Sequence, residues 1–450
     1  MSEQPRAHML ASEPIPALLL KMAVPAMIAM GVNALYNLVD TIYIGRGVGP
    51  EGIGGISIAF PFQILILAIA LMVGMGSASL ISRLMGRGDY DTAAQVAGNA
   101  AVVTVTLAGL LAVCGAIFLE PLLRLMGAPD SLLPYAHDYL STILPGAPFI
   151  GTAITFNHVI RAEGKARTSM TLMLVGAGMN IILDPVFIFG LQMGVRGAAL
   201  ATVISQFISF LFVVSFYASG RSALPVRLRH LRVRFDLIPE VLAVGLAAFV
   251  RQFGQSFFII ITNNVLRSFG DELAIAAFGV INKLLLFSTM PLVGIAHGFQ
   301  PIAGFNFGAG NIERVRKAVR TANLAAVSIS ITYFVTIMFF PRTIFGIFTT
   351  DAALLNLGSR AMQIVMVAIP LVGMQLIGST FFQAIGKAWP ALILSMSRQM
   401  IVLIPLVVIL PRFLGTTGVW LSFPLADLVA MSITVIWLRR EMRFLHIIGS

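Results

Sequence analysis

Long apolar runs separated by short polar segments make up almost the whole chain. A helix needs roughly 20 apolar residues to cross the hydrocarbon core of a bilayer, and twelve runs satisfy this requirement. They lie at 16–44, 53–82, 93–119, 136–160, 168–190, 195–218, 239–266, 273–303, 317–340, 357–383, 389–410 and 415–437. The pattern predicts an all-α polytopic membrane protein with twelve transmembrane helices.

Short motifs in the polar segments recur at a constant separation. Segments 86–91 and 308–313 match, as do 164–166 and 386–388, in both cases with an offset of 222 residues, and 197–200 matches 418–421 with an offset of 221. Each repeat holds an even number of spans, so the halves share one orientation and are related by a pseudo-twofold axis along the membrane normal. We predict an N-terminal six-helix bundle (1–218), a basic cytoplasmic linker (219–236) and a C-terminal six-helix bundle (237–450).

Charge is scarce and unevenly distributed. Only 11% of the residues are charged, whereas soluble domains average about 25%. With the N-terminus inside, most of the 30 Lys and Arg residues fall in cytoplasmic segments, including Arg161, Lys165 and Arg167 after the fourth span. The positive-inside rule then places both termini in the cytoplasm of a multi-pass protein of the plasma (inner) membrane. This topology accounts for the net charge of +11 without a nucleic-acid partner.

Motifs of soluble enzymes are weak in this chain. Gly74 and Gly76 lie inside an apolar span rather than after a strand, and no phosphate-binding loop is present. The single cysteine, Cys114, excludes an internal disulfide and a cysteine metal cluster. The six histidines show no metal-ligand spacing. We expect no cofactor and no resident metal. We also expect no enzymatic activity, because a membrane-embedded transferase would need an acid–base pair near a loop.

One carboxylate lies deep in the first predicted span. Asp40 has no Lys or Arg within five residues, and a charged carboxylate at bilayer depth costs about 2.5–3.5 kcal/mol. Tyr36 and Asn33 precede it by one and two helical turns and share its face. The pattern indicates a proton or cation site. The alternative is a helix-end carboxylate in the headgroup region.

A second carboxylate, Asp184, lies in the fifth span on the same helix face as Asn180. Pro185 lacks an N–H and disturbs the local helix, which leaves backbone carbonyls freer to line a cavity. Oxygen ligands suit a hard cation, and a pair of carboxylates suits a shared proton; the sequence leaves both open, as well as a purely capping role. We predict that Asp40, Asn180 and Asp184 line one cavity in the first bundle.

The second half lacks such acids, and the counterpart of Asp40 is Ile261. Its spans contain Arg251, Lys283 and Arg398, with Asp427 as the deep acid. Because each charge is costly alone in lipid, we predict that Arg251 pairs with Asp427. Further polar side chains of this half, Gln255 among them, could provide hydrogen bonds in a large cavity. The 22 Met and 32 Phe residues could line an adaptable pocket, although such residues are more often core or lipid-facing.

Several motifs together resemble the multidrug and toxic compound extrusion (MATE) family over nearly the whole chain. They are Ala23-Val24-Pro25-Ala26, Tyr36-Asn37-Leu38-Val39-Asp40, Gly86-x-Gly88-Asp89, Arg161-Ala162-Glu163-Gly164-Lys165 and Gln300-Pro301 followed by Asn306-Phe307-Gly308. The resemblance implies a secondary antiporter that exports hydrophobic, mostly cationic compounds in exchange for H+ or Na+ by alternating access. A flippase for lipid-linked or amphiphilic substrates is the alternative, because relatives in the superfamily flip lipid-linked precursors, and a channel is a further one.

The resemblance also implies roles for particular residues. The ion-coupling residues are Asp40, Asp184, Asn180 and Thr202, which would also hold Na+ if that is the coupling ion. The substrate-binding residues are Tyr36, Tyr139, Asn33 and Gln255. Pro25 interrupts the first span and is the expected hinge. Gln255, Asn282 and Gln375 occur where another branch of the family has acids, and this departure argues against a cation site in the second bundle. We expect a monomer in the lipid bilayer.

Overall fold

The predicted apolar runs fold as long helices in a computed structural model that describes residues 7–269 and 272–449. In this part of the chain there is no strand, and eleven helices are long and apolar enough to cross a membrane; a pair joined by a 45° bend makes a twelfth span if it counts as one. The helices are α1 (Ile15–Gly47), α2 (Pro50–Gly86), α3 (Tyr90–Ile117), α4 (Leu133–Ala162), α5 (Ala166–Gly190), α6 (Gly194–Ala218), α7 (Ile238–Phe269), α8 (Glu272–Gly308), α9 (Ile312–Phe339), α10 (Ala352–Met366 with Ile369–Ala384), α11 (Ala388–Leu414) and α12 (Thr416–Gly449). The predicted all-α membrane fold is confirmed.

Three spans contain turns that depart from a regular α-helix. They are the 3₁₀ turn Leu144–Gly146 in α4 and the π turns Val186–Gly190 in α5 and Ser397–Leu403 in α11. In α5 the regular helix ends at Pro185, as its missing N–H predicts. Shorter helices outside the spans are Ala7–Ser12, Leu119–Leu125, Leu228–Leu231 (3₁₀) and Pro341–Gly346.

The repeated motifs adopt the same backbone conformation in both halves. Gly88 and Gly310 have φ values of 80° and 73°, in the left-handed region that glycine enters without steric cost. The residue that follows each glycine caps the next helix: Asp89 and Asn311 both accept a hydrogen bond from the backbone N–H three residues later. The duplication in the sequence is therefore also a duplication of local structure.

The two halves contact each other through α1, α2, α7 and α8. Gly86 on α2 packs against the backbone of Phe305 on α8, and its counterpart Gly308 packs against the backbone of Arg83 on α2. Residues 83 and 305 are themselves 222 apart, so the contact is exchanged between the halves, as a twofold axis requires. Glycine permits this approach because it has no Cβ between the helix backbones.

Further close contacts continue along the same helices. Gly245 on α7 packs against the backbone of Met72, and Gly298 on α8 packs against the backbone of Ala23. On α1, α7 and α8, the residues that line the central cavity lie on the other side of these contacts from the Gly86–Gly308 end, and on α2 the same holds for Leu67 and Leu71. The contacts form a seal, and the cavity lies immediately beyond it.

Candidate functional site

A cavity of about 530 Å³ lies between the two halves. Asn33, Tyr36 and Gln255, three of the residues predicted to contact substrate, line its wall. Four methionines also line it: Met30, Met75, Met173 and Met290. Methionine is flexible and polarizable, so it packs against ligands of different shapes. A cavity lined by both apolar and polar side chains is suited to small amphiphilic molecules.

Asp40 on α1 and Asp184 on α5 meet inside the first half, behind the cavity wall. Their carboxyl groups lie within hydrogen-bonding range of each other. The Oδ1 atom of each is buried and has no hydrogen-bond partner in the described part of the chain. Because ionised carboxylates can only accept hydrogen bonds, this approach requires a shared proton or an intervening cation. The structure brings the two acids together as predicted, while their role remains a prediction.

Asn180 connects the carboxylate pair to the cavity. With its amide turned so that the nitrogen faces the carboxylate, Asn180 donates to Asp184 Oδ2 at 2.9 Å, and its amide oxygen accepts from the Thr202 backbone N–H at 3.2 Å. Asn180 also lines the cavity together with Tyr36, whose hydroxyl is within reach of Thr202. A change in the charge of Asp184 would therefore reach the cavity wall through one amide group.

Tyr139 lies beside the carboxylates and is not among the residues that line the cavity. Its side chain is buried, and its hydroxyl accepts a hydrogen bond from Gln63 Nε2 at 2.8 Å. It is close enough to Asp40 and Asp184 for both charges to act on it. The structure thus groups Tyr139 with the predicted coupling residues, one layer behind the predicted substrate contacts.

The oxygen atoms around the carboxylate pair have the chemistry that a hard cation prefers. They come from the two carboxylates, and the Asn180 amide oxygen and the Thr202 hydroxyl lie next to them on the far side of the Asn180 N–H. In the described residues, no group of three or more His, Cys, Asp or Glu side chains could hold a metal ion. Oxygen donors of this kind suit a proton or Na+ better than a transition metal, which prefers nitrogen and sulfur ligands.

Asp427 on α12 pairs with Arg398 in the π turn of α11, so the predicted Arg251–Asp427 pair was wrong. Arg251 instead points toward α2 and donates from Nη2 to Met75 Sδ at 3.8 Å. The physical reason is helix placement. Extensive packing holds α7 against α2, whereas the π turn of α11 packs against α12 and brings Arg398 to the buried carboxylate.

Four basic side chains gather at the sealed end of the cavity, and we call Arg161, Arg251, His158 and His297 the basic floor. Of these, the sequence singled out only Arg251 as a charge within a span. Arg161 was assigned to a cytoplasmic loop, but α4 continues through Ala162 and buries it to 4% exposure. The rings of His158 and His297 meet edge to face, with centroids 5.1 Å apart. Both histidines lie in predicted spans, so the rule that flags ionisable groups in apolar helices could have found them.

Comparison with known proteins places this architecture among transporters. The MatE family model matches residues 25–186 and 247–409. The multidrug export protein MepA of Staphylococcus aureus (strain MRSA252) is 26% identical over 415 residues, which cover 92% of this chain and 91% of MepA. A solved structure described as the outward-facing conformation of a multidrug resistance MATE family transporter of the MOP superfamily has a TM-score of 0.92 and 27% identity, and covers 98% of this chain and 99% of its own. A MATE structure in the bent conformation has a TM-score of 0.91 and 28% identity, with 99% of both chains covered.

Proposed function

This chain belongs to the MatE family and is one of its multidrug efflux transporters, and we propose that it works as a secondary antiporter that exchanges substrate for H+ or Na+. It is a transporter and not an enzyme, and it binds small molecules within the membrane. The observation that supports ion coupling best is the buried Asp40–Asp184 pair, which Asn180 joins to the wall of the central cavity.

The proposed coupling follows from electrostatics. Two ionised carboxylates at this range repel, so capture of a proton or Na+ between Asp40 and Asp184 is favourable. Capture changes the hydrogen bonds that Asp184 can accept, and Asn180 and Thr202 must adjust with it. Because Asn180 lines the cavity, ion binding and substrate binding each alter the affinity for the other. Competition between them enforces exchange without ATP.

Pro25 is the proposed hinge of α1. It lies between Ala23 and Met27, both of which pack against glycines of α8. The part of α1 that carries Tyr36 and Asp40 lies beyond this contact. A proline inside a helix removes one backbone hydrogen bond and permits a bend. The relative described as a MATE in the bent conformation supports a hinge in this family.

The proposed topology has both termini in the cytoplasm of the plasma (inner) membrane and a monomer as the working unit. Residues 1–218 and 237–450 form the two bundles, with 219–236 as the linker between them. Separate matches of the family model to residues 25–186 and 247–409 support this division. In this orientation the seal between the halves faces the cytoplasm, so the cavity opens outward, a state that the outward-facing relative also represents.

We propose hydrophobic, mostly cationic compounds as the main substrates, in keeping with the relative named as a multidrug export protein. A cation would occupy the part of the cavity near Asn33, Tyr36 and Gln255, since the face of an aromatic ring attracts positive charge. Tyr139, in the layer behind, would orient the carboxylates rather than touch the substrate. The basic floor lies at the sealed end of the cavity and repels a cation.

Dye accumulation in everted vesicles tests the coupling. One series of vesicles has an acidic lumen, and a parallel series has a lumen loaded with Na+. The gradient that drives a fluorescent cationic dye into vesicles containing the wild-type protein identifies the coupling ion. Asp40→Asn and Asp184→Asn should each abolish gradient-driven accumulation while folded protein remains in the membrane. Asp130→Asn is the matched control, because that side chain is 88% exposed. Wild-type rates in both Asp40→Asn and Asp184→Asn would refute the proposal.

A further inference from the structure

The basic floor has no counterpart in the coupling mechanism described above. Arg161 and His158 come from α4 of the first half, while Arg251 and His297 come from α7 and α8 of the second half. We propose that the basic floor binds the carboxylate, or a similar anionic group, of an amphiphilic substrate, so that the transporter also accepts amphiphiles with a net negative charge. This inference rests on the proposed function, because it takes the central cavity as the substrate site.

Arg161 provides hydrogen-bond donors that the fold does not use. It is 4% exposed and lines the cavity. Its Nη2 donates to the side chains of Asn157 and Ser169. Its Nε and Nη1 are buried without a hydrogen-bond partner in the described part of the chain. Unmet buried donors are costly, and a guanidinium fork matches the geometry of a carboxylate.

Arg251 is also not paired with an acid. Its side-chain contact in the described residues is the long hydrogen bond to Met75 Sδ. Two other arginines within the helices show what pairing looks like in this protein: Arg83 contacts Glu240 at 2.8 Å, and Arg398 contacts Asp427. The contrast means that the positive charges of Arg161 and Arg251 face the cavity uncompensated by any acid of the described residues.

The four side chains form one cluster. The two histidine rings touch, and both arginines lie within electrostatic range of both rings. An anion placed here would receive hydrogen bonds from the first half and attraction from both halves. A bound anionic group would therefore hold the halves together at the sealed end of the cavity, whereas a neutral group of the same shape would not.

A structural role of Arg161 explains part of its contacts. The hydrogen bonds from Nη2 link α4 to Ser169 at the start of α5, and they would brace these helices without any ligand. That role uses one nitrogen and leaves the other two unpaired. It also gives no reason for Arg251, which is half-buried, to lie at the same wall. A test must therefore measure ligand preference rather than stability.

The test uses the full chain purified in detergent, with no ion gradient. The probes are a dansyl-labelled fatty acid and its primary amide, which have nearly the same shape and differ in charge. Wild-type protein should bind the carboxylate about tenfold or more tightly than the amide, because hydrogen bonds to a charged group in a buried site are strong. Arg161→Gln and Arg251→Gln should each bring the ratio of the two Kd values close to one.

Lys283→Gln is the matched control, since Lys283 lies on α8, is exposed and does not line the cavity; it should keep the wild-type ratio. If Arg161→Gln does not fold, Arg251→Gln alone decides. Equal Kd values for both probes in wild-type protein, an unchanged ratio in Arg251→Gln, or an equal loss in Lys283→Gln would overturn the inference. The binding test applies no ion gradient, so its failure would not bear on the coupling test with Asp40→Asn and Asp184→Asn. Equally, failure of the coupling test would not change the ratio of the two Kd values.

Discussion

Replacing Gly298 by alanine tests whether the seal between the halves depends on backbone contact. A Cβ at this position would lie 2.6 Å from the backbone N and 2.8 Å from the Cα of Ala23 on α1. Non-bonded carbon atoms prefer about 3.5–4.0 Å, so α1 and α8 would have to separate by about 1 Å. Overpacking of this kind costs about 1–3 kcal/mol. We expect Gly298→Ala to lower the free energy of unfolding by an energy in this range, reduced by the gain that comes from the higher helix propensity of alanine.

The control for this prediction lies on the same helix. An added Cβ at Gly279 would meet no atom within 4 Å. Alanine is more favourable than glycine inside a helix by about 0.8–1 kcal/mol, and both variants share this gain, so their difference isolates the steric cost. Thermal unfolding in detergent at one heating rate, followed by tryptophan fluorescence, should place Gly279→Ala at or above wild type and Gly298→Ala clearly below Gly279→Ala. Equal midpoints for the two variants would refute the account of the seal.

Two further predictions concern buried charges. Asp427→Asn and Arg398→Gln should each lower the free energy of unfolding by about 3–5 kcal/mol, because each leaves its partner uncompensated. The double variant should lose much less than the sum, and additive losses would disprove the pairing. As a control, the losses in Arg251→Gln and Asp427→Asn should be additive. Glu163 lies just outside α4, where burial raises the pKa of its carboxyl group although it accepts three hydrogen bonds. Because the folded state then holds this proton more tightly than the unfolded chain, the stabilisation is complete below the unfolded pKa of about 4.3 and is lost as pH rises through the folded pKa. The difference in free energy of unfolding between wild type and Glu163→Gln should therefore fall as pH rises from the unfolded pKa through the folded pKa. A difference that does not change with pH would contradict the prediction.

Much of the fold could be predicted because the bilayer limits the possibilities. Only a helix satisfies its own backbone hydrogen bonds in hydrocarbon, so each long apolar run had to be a helix. The offset of 222 residues predicted the duplicated architecture, and Gly88 and Gly310 carry it into the backbone. Asp40 and Asp184 could be placed together because each is a costly charge at similar depth, in helices that run in the same direction.

The sequence alone determined where the long apolar helices lie and which of their residues are too polar for lipid. It did not determine their partners. Asp427 pairs with Arg398 and not Arg251 because the choice depends on which helices are neighbours and on how a π turn rotates α11. Arg161 became part of the basic floor because α4 extends past the predicted boundary and its last turn faces the other half. Helical periodicity sets the angles between side chains on one helix, but only packing sets the rotation of one helix against another, and that rotation decides which polar groups share a cavity.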